Sequence, residues 1–466
     1  MRRPAAVTLG CLLLATGCAQ GAGAAIRGSW VGTFNLPASA QPVAIALSLS
    51  GKTATVSLGP GHASAIRVTA LAQGSRLRFN LPGRPAALVF SGALHGSRIS
   101  GTVAQGKLRG SFRLRRGNAP AVSALGLYRS DGGAAVAVIQ APGLPTWLVE
   151  LPSGTTHGLN ASLTTVGTLL GDTSGDGTLA VRPDALTWTH GGASVRYGRV
   201  HLRQREVRVG DLAGTLTLPD GTGPFPTAVM VHGSDAAGRE EFQTFAAYLT
   251  SVGVAVLAAD KRGVGQSGGT FPGQRATDSA LGVLAADAQA QVRFLGGLPE
   301  IDRTRVGLLG DSQAGWVIAL AAAREPAVRW AVALVGPATT VGETDLFTQL
   351  AGAEQTPPSG PRAQMLAEVR ALGPGGFDPV PSLRTLSIPI LWVYGDDDRN
   401  VPTELCVERL RSIEPGHDFS WVVLPMTHAL IDLPTGLFSS LGQSRGFTAT
   451  LFPAVGDWLH RHSLAA

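Results

Sequence analysis

RVGLLGDSQAGW, residues Arg305 to Trp316, is the stretch on which the rest of the chain depends. Val306, Leu308 and Leu309 make an apolar run that reads as a buried strand, and residues 310–315 then turn sharply into a helix starting near Trp316. A strand, a tight turn with serine at its apex and a helix together form a nucleophile elbow. The turn lifts the hydroxyl above the sheet edge, and its crowded backbone accepts only small residues two positions to either side. Gly310 and Ala314 hold those positions around Ser312. The usual pattern has glycine where Ala314 stands, and a chain with 61 glycines also produces such spacings as ordinary turns. The motif acquires meaning only if the chain supplies partners for Ser312.

Outward from the elbow, the texture from about Gln204 is of strands alternating with helices. Glu206–Val209 and Leu212–Leu218 read as a hairpin turning at Gly210 and Asp211. Thr227–Val231, Val254–Ala258, Trp330–Val335, Ile390–Tyr394 and Phe419–Leu424 are apolar strands. Leu281, Leu284, Ala288, Val292 and Leu295 recur every three or four residues and so share one helix face. Wholly apolar strands separated by helices predict an α/β fold, a doubly wound parallel sheet covered on both faces, with binding at the carboxyl ends of its strands.

A serine hydroxyl is a poor nucleophile until a base takes its proton, and the base needs a third group to hold its tautomer. In doubly wound hydrolases the acid and then the histidine follow the serine along the chain, each at a strand end. The strand ending at Gly395 runs into Asp396, Asp397 and Asp398, three carboxylates that cannot all face one imidazole. Asp398 is the choice, three residues after Gly395 and three before Val401; the other two read as an acidic turn. Of the histidines that follow, His417 precedes the last strand, and His460 and His462 belong to the terminal helix or tail. Only His428 follows a strand directly, on a loop at the carboxyl end, which makes it the expected general base. An oxyanion at the attacked carbonyl needs backbone donors placed in advance. The amide of Gln313, at the start of the elbow helix, and that of Ser234, after the strand ending at Val231, are the candidates. His232, Asp260 and Arg262 are expected to brace these loops.

The first half differs. From Ile26 to about residue 118 short alternating runs are broken by Gly, Pro and Ser, which predicts an all-β domain, sandwich or barrel. A second β-rich segment, more broken, occupies residues 119–203. Within it Asp172, Ser174, Asp176 and Gly177 imitate the start of a calcium loop, but Pro183 stands where the closing glutamate is required, so an Asp/Gly turn is expected. His62 and His95 are isolated and read as surface residues.

Charged residues make up 15% of the chain and hydrophobic ones 44%, which excludes a disordered, highly charged protein. The net charge of +6 is spread over scattered arginines rather than a basic stripe, so nucleic acid is not an expected partner. Residues 1–25 read as a signal peptide: Arg2 and Arg3 precede an apolar core, Leu9 to Ala15, too short to span a bilayer. Leu14 to Cys18 (LATGC) is similar to a bacterial lipobox, which would make Cys18 a lipidated N-terminus; cleavage near Ala22–Ala24 is the alternative. Lipidation is preferred because cysteine is scarce, and Cys406 would then have no disulfide partner. The protein is expected to be exported to the cell envelope, touching the membrane only through such an anchor.

With these residues assembled, the chain from about Gln204 onward resembles the α/β-hydrolase superfamily, in particular exported bacterial esterases and serine-aminopeptidase-like hydrolases with an N-terminal β region. VMVHGSD, DKRGVGQS, the elbow, GDDDRNVP and PMTH occur in the required order. The resemblance implies a serine hydrolase with a small cap, residues 336–387, inserted after the sixth strand and containing a helix over about Pro361–Leu372. Asp311 and Gln313 depart from the His and Glu that relatives often carry beside the nucleophile; the Gln313 amide does not depend on its side chain. The expected activity is hydrolysis of carboxylic esters, of small molecules, through an acyl-enzyme on Ser312, with neither metal nor organic cofactor. A peptidase or amidase acting on short peptides, and a non-catalytic envelope-binding protein, are the alternatives.

Overall fold

Strict alternation, as in Arg76–Leu81 (RLRFNL), lets a strand bury one face and wet the other. In the computed structural model, which describes residues 26–36, 43–58, 64–81, 86–116, 124–140, 146–151, 153–159, 164–166, 175–353, 356–430 and 448–465, eight strands use this pattern. They run from β1 (Gly28–Asn35) through β8 (Leu108–Arg116) and pair antiparallel in chain order. β8 returns to β1, with Trp30 opposite Arg116, so the sheet closes into a barrel and presents no open edge. Trp30, Phe34, Phe79, Phe90 and Phe112 fill the interior, Phe79 stacking on Phe90 at 4.6 Å between centroids. Cys18 and the leader lie outside the described residues, as do Asp172 and Ser174 of the expected turn, while Asp176 and Gly177 belong to a strand.

A second barrel follows, β9 (Gly126–Arg129) through β16 (Ala193–Arg199), closed by pairing of β16 with β9. Two of its strands, β10 (Ala135–Gln140) and β11 (Thr146–Leu151), bury apolar side chains on both faces. Val136, Val138 and Leu148 point into the barrel with Tyr128 and Trp188. Ala135, Ala137, Ile139, Val149 and Leu151 point outward and pack with Phe242, Phe245 and Tyr248 of the C-terminal domain.

That domain is built on an eight-stranded sheet. Its strands are β17 (Arg203–Val209), β18 (Leu212–Leu218), β19 (Phe225–Val231), β20 (Ala255–Ala259), β21 (Ile301–Asp311), β22 (Trp330–Leu334), β23 (Ile390–Gly395) and β24 (Phe419–Leu424), in the order β17-β18-β20-β19-β21-β22-β23-β24. From β20 to β24 the pairing is parallel, as expected. The hairpin β17–β18 is not, and β18 lies antiparallel on β20, so the sheet is mixed. The two-residue connection forces β17 and β18 to be antiparallel, because only a long crossover can make consecutive strands parallel. α1 (Gln243–Ser251) and α8 (Leu451–Arg461) cover one face, together with the outer wall of the second barrel. α2 (Asp278–Gly296), α3 (Ala314–Arg324) and α7 (Thr403–Ile413) cover the other.

Between β22 and β23 the chain forms α4 (Val341–Ala351), α5 (Arg362–Leu372) and α6 (Val380–Leu383). α5 coincides with the expected helix; α4 and α6 were not expected. α4 begins with a capping box in which Thr340 and Glu343 satisfy each other's backbone amides. Phe347, Met365, Leu366 and Val369 give the insertion a small core of its own against Leu405. Among the described residues no helix is long and apolar enough to cross a membrane.

Candidate active site

β21 runs in the middle of the parallel sheet, between β19 and β22, and its last residue, Asp311, leads straight into Ser312. Ser312 has φ 55°, a left-handed conformation that costs a non-glycine residue on the order of 1–3 kcal/mol. Its amide donates to Leu334 O at 2.9 Å and its carbonyl accepts from the Gly315 amide at 2.9 Å, which hold the turn in place. A Cβ on Gly310 would come within 2.1 Å of Val231 O and 2.6 Å of the Ala314 Cβ. The methyl of Ala314 is accommodated because residue 310 has none. Gly315 meets Gly336 in the same way, a Cβ there falling 2.7 Å from the Gly336 carbonyl carbon, so α3 starts hard against the end of β22.

Three strand ends bring the predicted residues together. Ser312 Oγ is 3.0 Å from His428 Nε2, and His428 Nδ1 is 3.1 and 3.0 Å from the two carboxylate oxygens of Asp398. Asp398 is fully buried, and its Oδ1 also accepts the amides of Asn400 and Val401, both at 2.8 Å. Those donors satisfy the carboxylate without water and fix its direction. As a carboxylate only accepts, the shared proton sits on Nδ1, leaving Nε2 to accept from the serine hydroxyl. Such a line can move a proton from Oγ to the imidazole as Oγ attacks an electrophile. Asp396 is exposed, and Asp397 faces Arg399 at 3.7 Å. His417 turns its Nδ1 to Leu386 O at 2.6 Å, and His462 Nδ1 meets Trp458 O at 2.8 Å, both away from the serine.

Sequence reasoning missed Arg362. From α5 its Nη1 donates to the carbonyl of Asp398 at 2.7 Å, while Nε and Nη2 grip Glu404 at 2.6 and 2.8 Å, so the insertion is tied to the loop bearing the acid. A lone arginine on a polar helix carried no signal of that role.

The loop after β19 passes beside Ser312: a Cβ on Gly233 would lie 3.4 Å from the Ser312 Cβ. Among the described residues neither the Ser234 amide nor the Gln313 amide donates to another group, so both are free to receive an oxyanion. Behind the loop, His232 is engaged by Glu241 at 3.1 Å through Nδ1 and by Ala259 O at 2.7 Å through Nε2. Asp260 accepts from the amides of Arg239 at 3.0 Å and Gln266 at 2.8 Å, and Arg262 is ion-paired to Asp287. These residues brace, and none reaches Ser312. Burial of the Asp311 carboxyl pushes its pKa up to about 6, with the Glu241 charge adding and His428 and His232 opposing. Among the described residues no group of three His, Cys, Asp or Glu could hold a metal ion.

The family described as "FrsA-like: Esterase FrsA-like" matches residues 176–358, which include the elbow and the Ser234 loop but stop before Asp398 and His428. The esterase FrsA of Escherichia fergusonii is 31% identical over 140 residues, 29% of this chain and 32% of that protein. Its counterpart from Klebsiella pneumoniae subsp. pneumoniae is 29% identical over 126 residues, 27% of this chain and 28% of the relative. The chain thus spans about a third or less of the curated relatives it matches. Among solved structures, the Pyrococcus furiosus esterase Pf2001 is 19% identical with a TM-score of 0.39, covering 56% of this chain and 93% of its own. Est1E from Butyrivibrio proteoclasticus, solved with ferulic acid bound, is 19% identical with a TM-score of 0.37, covering 55% and 98%. By its strand order and its elbow the C-terminal part of the chain is an α/β hydrolase in fold, and residues 176–358 are similar to FrsA-like esterases.

Proposed function

We propose that the protein is an exported serine hydrolase that cleaves carboxylic esters of small molecules through an acyl-enzyme. The observation that carries this reading is the unbroken line from Ser312 Oγ through His428 to buried Asp398, with contacts of 3.0 Å on either side of the imidazole. Ser312 Oγ attacks the ester carbonyl as His428 Nε2 takes its proton; the oxyanion rests on the Ser234 and Gln313 amides. Collapse expels the alcohol, which leaves with the proton from His428, and Ser312 is acylated. Water then attacks the acyl carbon with His428 as base, releasing the acid and restoring the serine. Similarity to esterases over the elbow supports ester rather than amide substrates.

A fluorophosphonate probe is expected to label the purified protein, and Ser312→Ala to abolish both labelling and hydrolysis of p-nitrophenyl esters; unchanged labelling would sink the assignment. Export with lipidation at Cys18 rests on the LATGC stretch. Globomycin-sensitive partition into the detergent phase is expected in the native host, and Cys18→Ser should release the protein, whereas an already soluble wild type favours cleavage near Ala24.

A further inference from the structure

Lys261 follows β20 by two residues and is 5% exposed. Burying an ammonium is costly unless something compensates for the lost water, and among the described residues Lys261 makes no ion pair. Its Nζ instead donates to the carbonyl of Gly233 at 2.5 Å and to that of Asp235 at 3.2 Å, with the Phe271 ring centroid 5.3 Å away. The Gly233 carbonyl belongs to the same peptide unit as the Ser234 amide. In a planar trans peptide the N–H points opposite to the C=O, so whatever holds the carbonyl aims the amide. A cation on the carbonyl also polarises the unit and strengthens the N–H as a donor. The Gly233 backbone adjoins Ser312, so an amide pointing away from Lys261 is available to the reacting centre.

We propose that Lys261 is the positioning residue of the oxyanion hole: its ammonium clamps the Gly233 carbonyl and thereby aims and strengthens the Ser234 amide for the oxyanion formed at Ser312. This rests on the serine-hydrolase reading above. Burial pulls the Lys261 pKa down to about 8, opposed by Glu241 on the turn before α1, Asp235 on the clamped loop and Asp311 on the elbow. The protonated form is the working one, so the clamp weakens as pH rises through about 8.

The test compares wild type, Lys261→Met and Lys261→Arg. On a p-nitrophenyl ester, Lys261→Met is expected to lose about tenfold or more in kcat with KM within about twofold, as one weakened oxyanion donor should. Wild-type kcat should decline above pH 8; that limb should vanish in Lys261→Met and move above pH 10 in Lys261→Arg, whose charge does not titrate there. Labelling of Ser312 by the fluorophosphonate, which also passes through an oxyanion, should slow by a similar factor in Lys261→Met. Wild-type kcat and labelling rate in Lys261→Met, or an alkaline limb that persists in it, overturn the proposal while leaving the hydrolase reading intact. An unlabelled wild type overturns both. Should thermal melting show that Lys261→Met does not fold, the position of the limb in Lys261→Arg decides, a limb still near pH 8 counting against the lysine.

Discussion

The two barrels share one topology and differ in what their outer walls meet. In the first, Arg76–Leu81 alternates strictly, with Arg76, Arg78 and Asn80 exposed and Leu77, Phe79 and Leu81 buried in a core made, among the described residues, only of its own. In the second, β10 reads AVAVIQ, and its alternation divides two cores rather than core from water: Val136 and Val138 inside, Ala135, Ala137 and Ile139 against the hydrolase domain. A continuous apolar strand in an antiparallel barrel therefore signals that something covers it, as it does in a parallel sheet. The first barrel is a closed body, whereas the second is part of the wall of the C-terminal domain.

The most severe way to break this comparison is at the elbow. Gly310→Ala places a Cβ 2.1 Å from Val231 O and should cost about 3 kcal/mol. Calorimetry should find the hydrolase domain and second barrel melting together at lower temperature, with the first barrel's transition unmoved; a single shared transition would contradict the division. A gentler probe pairs two substitutions. Val149→Thr, nearly isosteric, puts a hydroxyl into the shared core opposite Ala137 and should lower the coupled transition by about 1–2 kcal/mol. Arg78→Ala on the wetted wall of the first barrel should change its transition by no more than about 0.5 kcal/mol. Equal effects at the two sites would erase the distinction.

Much of the site was legible because strand-end position and chain order are one-dimensional. Ser312, Asp398 and His428 each lie within about four residues of the end of an apolar strand, and the sheet converts that into proximity. Ala314 looked like a defect in the motif, and only the approach of Gly310 to Val231 explains why the small residue that matters most is on the strand side. Closure of the second barrel was not legible, since it depends on β16 meeting β9 nearly 70 residues away, as roughly the difference between Gly198 and Arg129. Lys261 was passed over within DKRGVGQS because a lysine between Asp and Arg reads as one more charge on a loop. Its burial, and the carbonyls it holds, are properties of the fold.

The two-faced strand β10 also has a consequence for how the chain is made. In synthesis from the N-terminus the first barrel can complete itself once Arg116 has emerged. Ala135, Ala137 and Ile139 have no cover until Phe242 to Tyr248, about a hundred residues further along the chain, have arrived. Until then the second barrel carries an adhesive stripe that the first never shows.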